Sequence, residues 1–364
     1  MCGTTKIPDW YLISNIVQHV INRSLTTSLL PRLGEDPYSL RECLIFMGDL
    51  RSLILSKKAS FSLRQLLERS HPFRASDPRD KVYSVLGLAE DREDLGIAVD
   101  YTCTTEQLYI HTAAKILKVK PAVRFLYNCL HTKSLTLPSW VPDWSNWQFG
   151  SRGVRLSSGY DACGSTPDEL IVDGMKLHVT GCLVDEIVYV GEPIGPRYAF
   201  PNRGIPEHKA WFLKERAEIA GVLGPRFRSE AIDEKLWRTL IGNITMYERP
   251  AGQDYQALYK AHLDYDGKDS SAEVAAEARE FCDAVRRRSR YRRLAVTRRD
   301  DVGAVPVTAE VGDWVCMFQG GRLLFVVRPR GPNYNYVGHA YVHGLMNGEV
   351  LQAESYRKQT ITLV

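Results

Sequence analysis

The sequence predicts an α+β fold, in which a helical N-terminal lobe packs on a small antiparallel β-barrel or sandwich with a helical insert. Apolar residues recur at helical spacing through the first third of the chain, and short runs rich in β-branched residues, separated by turn residues, fill its last part. Helical periodicity returns between the β runs. We therefore predict a helical lobe at 1–137 and a β domain at 138–364, with the insert at about 207–293.

In the N-terminal lobe, apolar periodicity predicts helices across residues 9–70. The pair Asp77-Pro78 predicts the start of a further helix. Asp77 accepts hydrogen bonds from free main-chain N–H groups, and Pro78 fits the first helical position. A short helix is expected to follow over residues 81–87, ended by its glycine.

The middle of the chain alternates between helix signals and helix breakers. Thr104 opens a helix, and Gln107 three residues later completes a capping box. Residues 138–149 hold three tryptophans and two prolines, which exclude a regular helix. In the insert, the basic run from Arg286 to Arg293 favours a solvated helix face whose aliphatic stems pack downwards, with a nuclear-localisation signal or a phosphate-binding patch as the alternatives.

The β domain is predicted from hairpin and strand signals. One hairpin is expected to turn at Asp173-Gly174, and a second at residues 319–322. The remaining strands are marked by runs of apolar and β-branched residues, which are 184–190, 314–318, 323–327, 336–345 and 359–364.

The composition is that of a globular protein with a buried core. Of 364 residues, 44% are hydrophobic and 25% are charged, which is too apolar for intrinsic disorder. The net charge is only +4, whereas nucleic-acid-binding proteins concentrate a stronger basic field on one face, so no nucleic-acid partner is expected. No signal-peptide core and no run of about 18 apolar residues occurs. We predict a cytoplasmic protein without a membrane span.

The cysteines and histidines give no metal-binding signal. The eight cysteines are spread singly, without the close ligand pairs of zinc and redox sites, so we expect no metal and buried thiols in a reducing compartment. His339 and His343 lie in a strand-like segment with no third ligand nearby. Glu349 is expected to pair with His343, and a buried structural pair is favoured over acid chemistry.

Four ordered motifs carry a family resemblance. The segments at residues 74–87 (RASDPRDKVYSVLG), 99–102 (VDYT), 137–145 (LPSWVPDWS) and 336–349 (YVGHAYVHGLMNGE) resemble motifs of fungal heterokaryon-incompatibility (HET) proteins. Gly312-Asp313 and Arg328-Pro329 resemble two further short elements of that family. None of these motifs is catalytic.

The resemblance covers only the C-terminal portion of full-length HET proteins. Their N-terminal effector domain carries the cell-death signalling, and its WIDxxCINQ-like and WLG-like stretches do not occur here. The resemblance therefore implies a chain that lacks the effector domain and its activity. The segment 300–306 departs from the family's glycine-rich loop, and Leu324 stands where proline is common, which weakens any recognition role tied to that loop.

The first functional hypothesis is a small-molecule enzyme of fungal secondary metabolism. No GxGxxG, GxxxxGK[ST], HExxH or GxSxG motif occurs, so no cofactor is expected. A cyclase or isomerase of the Diels–Alder or a related pericyclic type needs only a shaped cavity and a donor to a substrate carbonyl. The expected substrate is an apolar terpenoid or polyketide. The candidate donors are Tyr341, His343 and Arg79, and the candidate cavity walls are Trp140, Trp144, Trp147 and Tyr127.

The second hypothesis is a non-enzymatic recognition or regulatory module of fungal incompatibility that has lost its effector domain. Such a module would bind a protein partner through an exposed apolar patch. A closed, aromatic-lined pocket of several hundred Å³ favours the enzyme, and a filled interior favours the module. A third interpretation, a truncated product without function, predicts exposed core residues.

Overall fold

The computed structural model describes residues 47–48, 60–70, 73–129, 133–146, 159–194, 205–225, 227–245, 250–267, 270–289 and 291–364. The chain divides into two compact units. The first comprises residues 1–119 and 143–147, and the second comprises residues 120–142 and 148–364. The predicted domain boundary at residue 137 stays a prediction. Most of the helical periodicity predicted for residues 9–70 lies outside the described residues.

The described part of the first unit is helical. Its core contains buried leucines at 63, 66 and 67 and the buried ring of Tyr109. The predicted capping box is confirmed: Gln107 N donates to Thr104 Oγ1 (3.2 Å), and Thr104 N donates to Gln107 Oε1 (2.9 Å). The helices are α1 (Leu63–Ser70), α2 (Asp80–Leu86), α3 (Arg92–Leu95) and α4 (Thr105–Val119).

The start of α2 differs from the prediction. Asp77 and Pro78 form a turn instead of the first helical positions, and α2 begins at Asp80. The Asp77 carboxylate still accepts from the main-chain N–H of Arg79 (2.9 Å), and Asp80 N donates to Asp77 O (3.0 Å). The aspartate thus satisfies the backbone of the turn that leads into the helix, rather than capping the helix itself.

The second unit contains an eight-stranded sheet, almost entirely antiparallel. Its predicted hairpins are confirmed at Asp173-Gly174, where Gly174 has φ +55°, and between the fifth and sixth strands. The strands are β1 (Leu170–Asp173), β2 (Lys176–Ile194), β3 (Arg292–Thr297), β4 (Val302–Pro306), β5 (Trp314–Phe318), β6 (Leu324–Arg330), β7 (Asn333–Val342) and β8 (Gln359–Leu363).

The pairings form a circuit that starts and ends on β2. Along the sheet the order is β1-β2-β3-β4-β7-β6-β5, and β5 pairs again with β2. This is feasible because β2 is 19 residues long: Ile187–Ile194 pairs with β3, Gly181–Glu186 pairs with β5, and Leu177–Gly181 pairs with β8. Register shifts within β2 let the long strand bend between its partners.

Among the described residues between β2 and β3, four helices form the predicted insert. They are α5 (Ile205–Leu223), α6 (Ser229–Leu240), α7 (Gln253–Asp264) and α8 (Ala272–Ser289). Their apolar faces pack with β3 and β4 around buried residues that include Phe212, Trp237 and Phe281. A 3-10 helix at Val123–Asn128 and a short helix α9 (Glu349–Gln352) complete the second unit as described.

The predicted α+β class is confirmed by these helices and the eight-stranded sheet. Within the second unit, the start of the tryptophan–proline stretch lies against the terminal strands. Tyr336 N donates to Ser139 Oγ (2.8 Å), and Ser139 N donates to the carbonyl of Val364 (2.8 Å). In the described parts of the chain, every helix is too short or too polar to cross a bilayer.

Candidate functional site

Tyr341 and His343, two of the predicted donors, lie together at the end of β7. The Tyr341 hydroxyl oxygen is 3.2 Å from His343 Nδ1. The main-chain N–H of His343 donates to the carbonyl of Val302 (3.0 Å), which holds this end of β7 against β4. The Glu349 carboxylate accepts from Asn347 N (2.6 Å), and its predicted pairing with His343 stays a prediction.

The protonation states of this pair follow from burial. Burial raises the pKa of Tyr341 and lowers the pKa of His343, and Arg238 and Lys235 lower the His343 pKa further. Near neutral pH the hydroxyl is therefore protonated and the imidazole is neutral. The Tyr341 hydroxyl and His343 Nδ1 therefore share one hydrogen bond between neutral groups, in which the imidazole tautomer sets the donor.

A small cavity lies beside Tyr341 in the second unit. It has room for about one water molecule. A terpenoid or polyketide does not fit in this space. The residues that line it include Tyr160, Thr239, Ser289, Arg292, His339 and Tyr341.

Arg288 and Arg292 both line this cavity, and Arg292 is almost fully buried. Its Nη1 donates to the carbonyl oxygens of His339 and, at 3.5 Å, of Ala304. Burial lowers its pKa to about 10, so the guanidinium stays charged at neutral pH. The main-chain carbonyl dipoles of His339 and Ala304 stabilise this charge. The prediction that the basic run forms a solvated helix face is therefore wrong at Arg292, because β3 begins at this residue and directs it inwards.

Tyr160 forms the opposite wall of the cavity. Its hydroxyl donates to the carbonyl of Gly242, and its ring lies 5.7 Å from the ring of Tyr341, centroid to centroid. Gly242 has φ +63°, and a Cβ at this position would lie 2.6 Å from the Tyr160 hydroxyl oxygen. The close approach of this loop thus depends on glycine.

Tyr127, a predicted cavity wall, is a packing and capping residue. Its hydroxyl oxygen accepts from the main-chain N–H groups of Arg322 (3.0 Å) and Leu323 (3.3 Å), at the turn before β6. Its ring stacks on Phe325 at a centroid distance of 5.6 Å and meets His339 edge-on at the same distance. Burial raises its pKa to about 12, so it remains a neutral phenol.

Trp140 is also fully buried in the second unit. Its indole Nε1 donates to the carbonyl of Met175 (3.0 Å), and its own carbonyl accepts from the thiol of Cys129 (3.0 Å). These contacts satisfy the polar groups of a large aromatic core residue. The described contacts of Trp140 give it a structural role.

Arg79 and Trp144 lie in the first unit, where both have internal partners. Arg79 binds Asp77 through Nη2 (2.7 Å) and Nε (3.0 Å), and its Nη1 donates to the carbonyl oxygens of Tyr101 (2.5 Å) and Cys103 (3.0 Å). Trp144 packs edge-on against Tyr109 at 5.0 Å between ring centroids. Trp147 lies outside the described residues.

Sequence reasoning missed the residues that complete the cavity. Tyr160, Thr239 and Ser289 come from three separate segments and follow no recognisable spacing. Arg292 carried a usable signal, since residues 292–297 read as a strand immediately after the α8 helix pattern. A strand directs alternate side chains to one face, so an arginine in its first position is a candidate for burial.

Comparison with known proteins supports a specific relationship. Residues 219–364 match the family model of the Het-6 β-barrel domain. The chain is 28% identical, over an alignment of 351 residues, to "Heterokaryon incompatibility protein 6, OR allele" of Neurospora crassa; the alignment covers 79% of this chain and 51% of that protein. The chain thus spans about half the length of the curated relative it matches. No solved structure matches it significantly. The resemblance to the heterokaryon-incompatibility family predicted from the motifs is confirmed.

Proposed function

We propose that this relative of the heterokaryon-incompatibility proteins is a recognition module of fungal incompatibility, which acts by binding a protein partner and not by covalent chemistry. The observation that carries the proposal is the similarity to a protein named for heterokaryon incompatibility, which extends over 79% of the chain. Both hypotheses drawn from the sequence included this family, and the comparisons favour the module.

The interior of the second unit supports the same conclusion. The candidate donor Tyr341 lines a cavity with room for about one water molecule, and its hydroxyl is committed to His343. The candidate walls Tyr127 and Trp140 are tied into the core by hydrogen bonds from or to the main chain. These residues hold the sheet together, which is what a rigid binding module requires.

The cyclase hypothesis stays a prediction. An enzyme of that type needs a cavity that accepts a whole apolar substrate and places a donor at its carbonyl. In the cavity beside Tyr341 the first of these conditions is not met. Neither the comparisons nor the contacts of the described candidate residues add support for it.

A fusion assay tests the proposal. The chain is expressed in one Neurospora strain, which is fused with strains that carry different alleles of the incompatibility relative, and viable heterokaryotic growth is counted. We expect growth to fall in at least one pairing compared with the empty vector. Unchanged growth in every pairing, with the protein shown to be expressed and folded, would contradict the proposal.

A variant separates recognition from catalysis. Tyr341→Phe keeps the ring and removes only the hydroxyl that a catalytic donor would need. If the chain acts by recognition, the variant reduces growth as strongly as the unmutated chain. Loss of the effect in this variant, with an unchanged circular dichroism spectrum and melting temperature, would favour the enzyme.

A further inference from the structure

The helical insert brings together two histidines and a cysteine from three helices. His208 lies near the start of α5, His262 lies in the last turns of α7, and Cys282 lies in α8. One ligand atom from each side chain lies within 4.8 Å of the other two. The residues are 54 and 20 positions apart in the sequence, so only the packing of the helices creates the cluster.

The cluster is somewhat wider than a metal site, because its two short contacts are made by different nitrogens of His262. His208 Nδ1 lies 3.2 Å from His262 Nε2, and Cys282 Sγ lies 3.6 Å from His262 Nδ1. Ligand atoms around a tetrahedral zinc ion lie about 3.3–3.6 Å apart, as follows from zinc–nitrogen and zinc–sulfur bonds of about 2.0 and 2.3 Å. With one ligand atom from each residue, the three atoms lie within 4.8 Å of one another, so they would have to contract by up to about 1.2–1.5 Å to share one ion.

The surroundings suit a bound metal. Aromatic rings enclose the histidines: Trp211 lies 5.6 Å from His208, and Phe281 lies 5.3 Å from His262, centroid to centroid. Both histidines are buried, whereas Cys282 is half-buried and gives the cluster a route to solvent. An apolar shell of this kind restricts solvent access and fixes the ring orientations.

From this geometry we infer that His208, His262 and Cys282 form a binding site for one Zn²⁺ ion, with a fourth position open to an exogenous ligand. Two imidazoles and a thiolate are a ligand set that zinc accepts, and three protein ligands leave one tetrahedral position available. The ion would tie α5, α7 and α8 together. The inference does not depend on the proposed function.

Binding of Zn²⁺ at this site would release one proton, which comes from the thiol of Cys282. Burial lowers the pKa of His208 to about 3 and that of His262 to about 4, so both imidazoles are already neutral, as metal ligands must be. Burial raises the pKa of Cys282 to about 12, so its thiol is protonated without metal. On binding, the S–H bond breaks, an S–Zn bond forms and one proton passes to solvent, with no change of oxidation state.

The competing interpretation is a hydrogen-bond chain without metal. Cys282 would donate to His262 Nδ1, and the two imidazoles would share the 3.2 Å hydrogen bond between Nε2 and Nδ1. Both interpretations use the same side chains. They differ in whether a metal displaces the thiol proton, and this difference is measurable.

Metal analysis and cobalt spectroscopy of the full chain test the site. After dialysis against Zn²⁺ and gel filtration, we expect about one zinc per chain. Cys282→Ser and His262→Gln should each lose most of it. The control Cys103→Ser removes a half-buried thiol of the other unit and should leave the zinc content unchanged. Titration with Co²⁺ should produce a thiolate-to-cobalt charge-transfer band and release about one proton per ion.

The outcomes separate the two interpretations even if a variant fails to fold. Absence of both retained zinc and a charge-transfer band in the unmutated chain overturns the site and supports the hydrogen-bond chain. If folded Cys282→Ser retains as much zinc as the unmutated chain, the metal binds elsewhere and the proposed site is also overturned. If Zn²⁺ raises the melting temperature of the unmutated chain but not that of His262→Gln, the proposed zinc site is supported.

Discussion

Arg328 and Asp313 form a bidentate ion pair, with Nε 2.7 Å from Oδ1 and Nη2 3.0 Å from Oδ2. Asp313 is buried just before β5, and its Oδ2 also accepts from the main-chain N–H of Glu310 (2.9 Å). Two motifs that are 15 residues apart in the sequence, Gly312-Asp313 and Arg328-Pro329, therefore meet in one contact between β5 and β6. The ion pair gives a structural reason for the presence of these two family-like motifs in the chain.

Asp313→Ala should lower the free energy of unfolding by about 3 kcal/mol, because it removes the buried carboxylate that accepts two hydrogen bonds from the Arg328 guanidinium and one from the Glu310 N–H. Urea denaturation measures this loss. Glu310→Ala is the matched control, since its carboxylate contacts the same guanidinium at 3.1 Å but is mostly exposed, and it should cost less than about 1 kcal/mol. Equal losses for the two variants would contradict this account.

Tyr127→Phe should destabilise the second unit by about 1–2 kcal/mol, because two main-chain N–H groups before β6 lose their common acceptor while the ring stack on Phe325 remains. Thermal unfolding followed by tyrosine and tryptophan fluorescence reports the change. Tyr334→Phe serves as the comparison, because its hydroxyl does not serve this turn. A Tyr127→Phe chain as stable as the unmutated one would show that the hydroxyl contacts contribute little.

Thr104→Ala should lower stability by about 1 kcal/mol, because the capping box at the start of α4 loses the hydroxyl that accepts from Gln107 N. The effect is expected in the first unit, where chemical denaturation monitored by helical circular dichroism detects it. Thr104→Ser retains the hydroxyl and should restore most of the loss. If serine and alanine behave alike, the cap does not stabilise α4.

His343→Gln should weaken the dependence of stability on pH in mildly acidic solution. Burial, Arg238 and Lys235 lower the His343 pKa, whereas Glu234 and Glu349 act in the opposite direction. The unfolded chain therefore takes up the proton first, and stability falls as the pH decreases below about 6.5. Melting temperatures between pH 5 and pH 8 should show a shallower acid-side slope for His343→Gln. An unchanged slope would mean that His343 does not contribute to it.

Local signals in the sequence predicted the elements well. The Thr104–Gln107 capping box and the Asp173-Gly174 turn were identified because each depends on residues a few positions apart. The order of helices and strands followed from apolar periodicity in the same way. Short-range chemistry therefore sufficed for the α+β class.

Long-range contacts were not predictable by the same reasoning. His208, His262 and Cys282 meet only because three helices pack together, and a search for close ligand pairs does not find them. Arg292 was placed on a solvated helix face, although the chain changes from helix to strand within the basic run. Predicted residues such as Tyr127 proved to support the sheet, because buried aromatic residues serve packing as well as ligand binding.

The 19-residue strand β2 has a practical consequence for any attempt to dissect this chain. The stretch that matches the barrel family model begins at residue 219, after β2 has ended. A fragment cut there would leave β3 and β5 with unpaired main-chain groups along the sides that β2 normally covers. Bare strand edges pair readily with other molecules, so such a fragment should self-associate, whereas one that begins before Leu170 retains the covering strand.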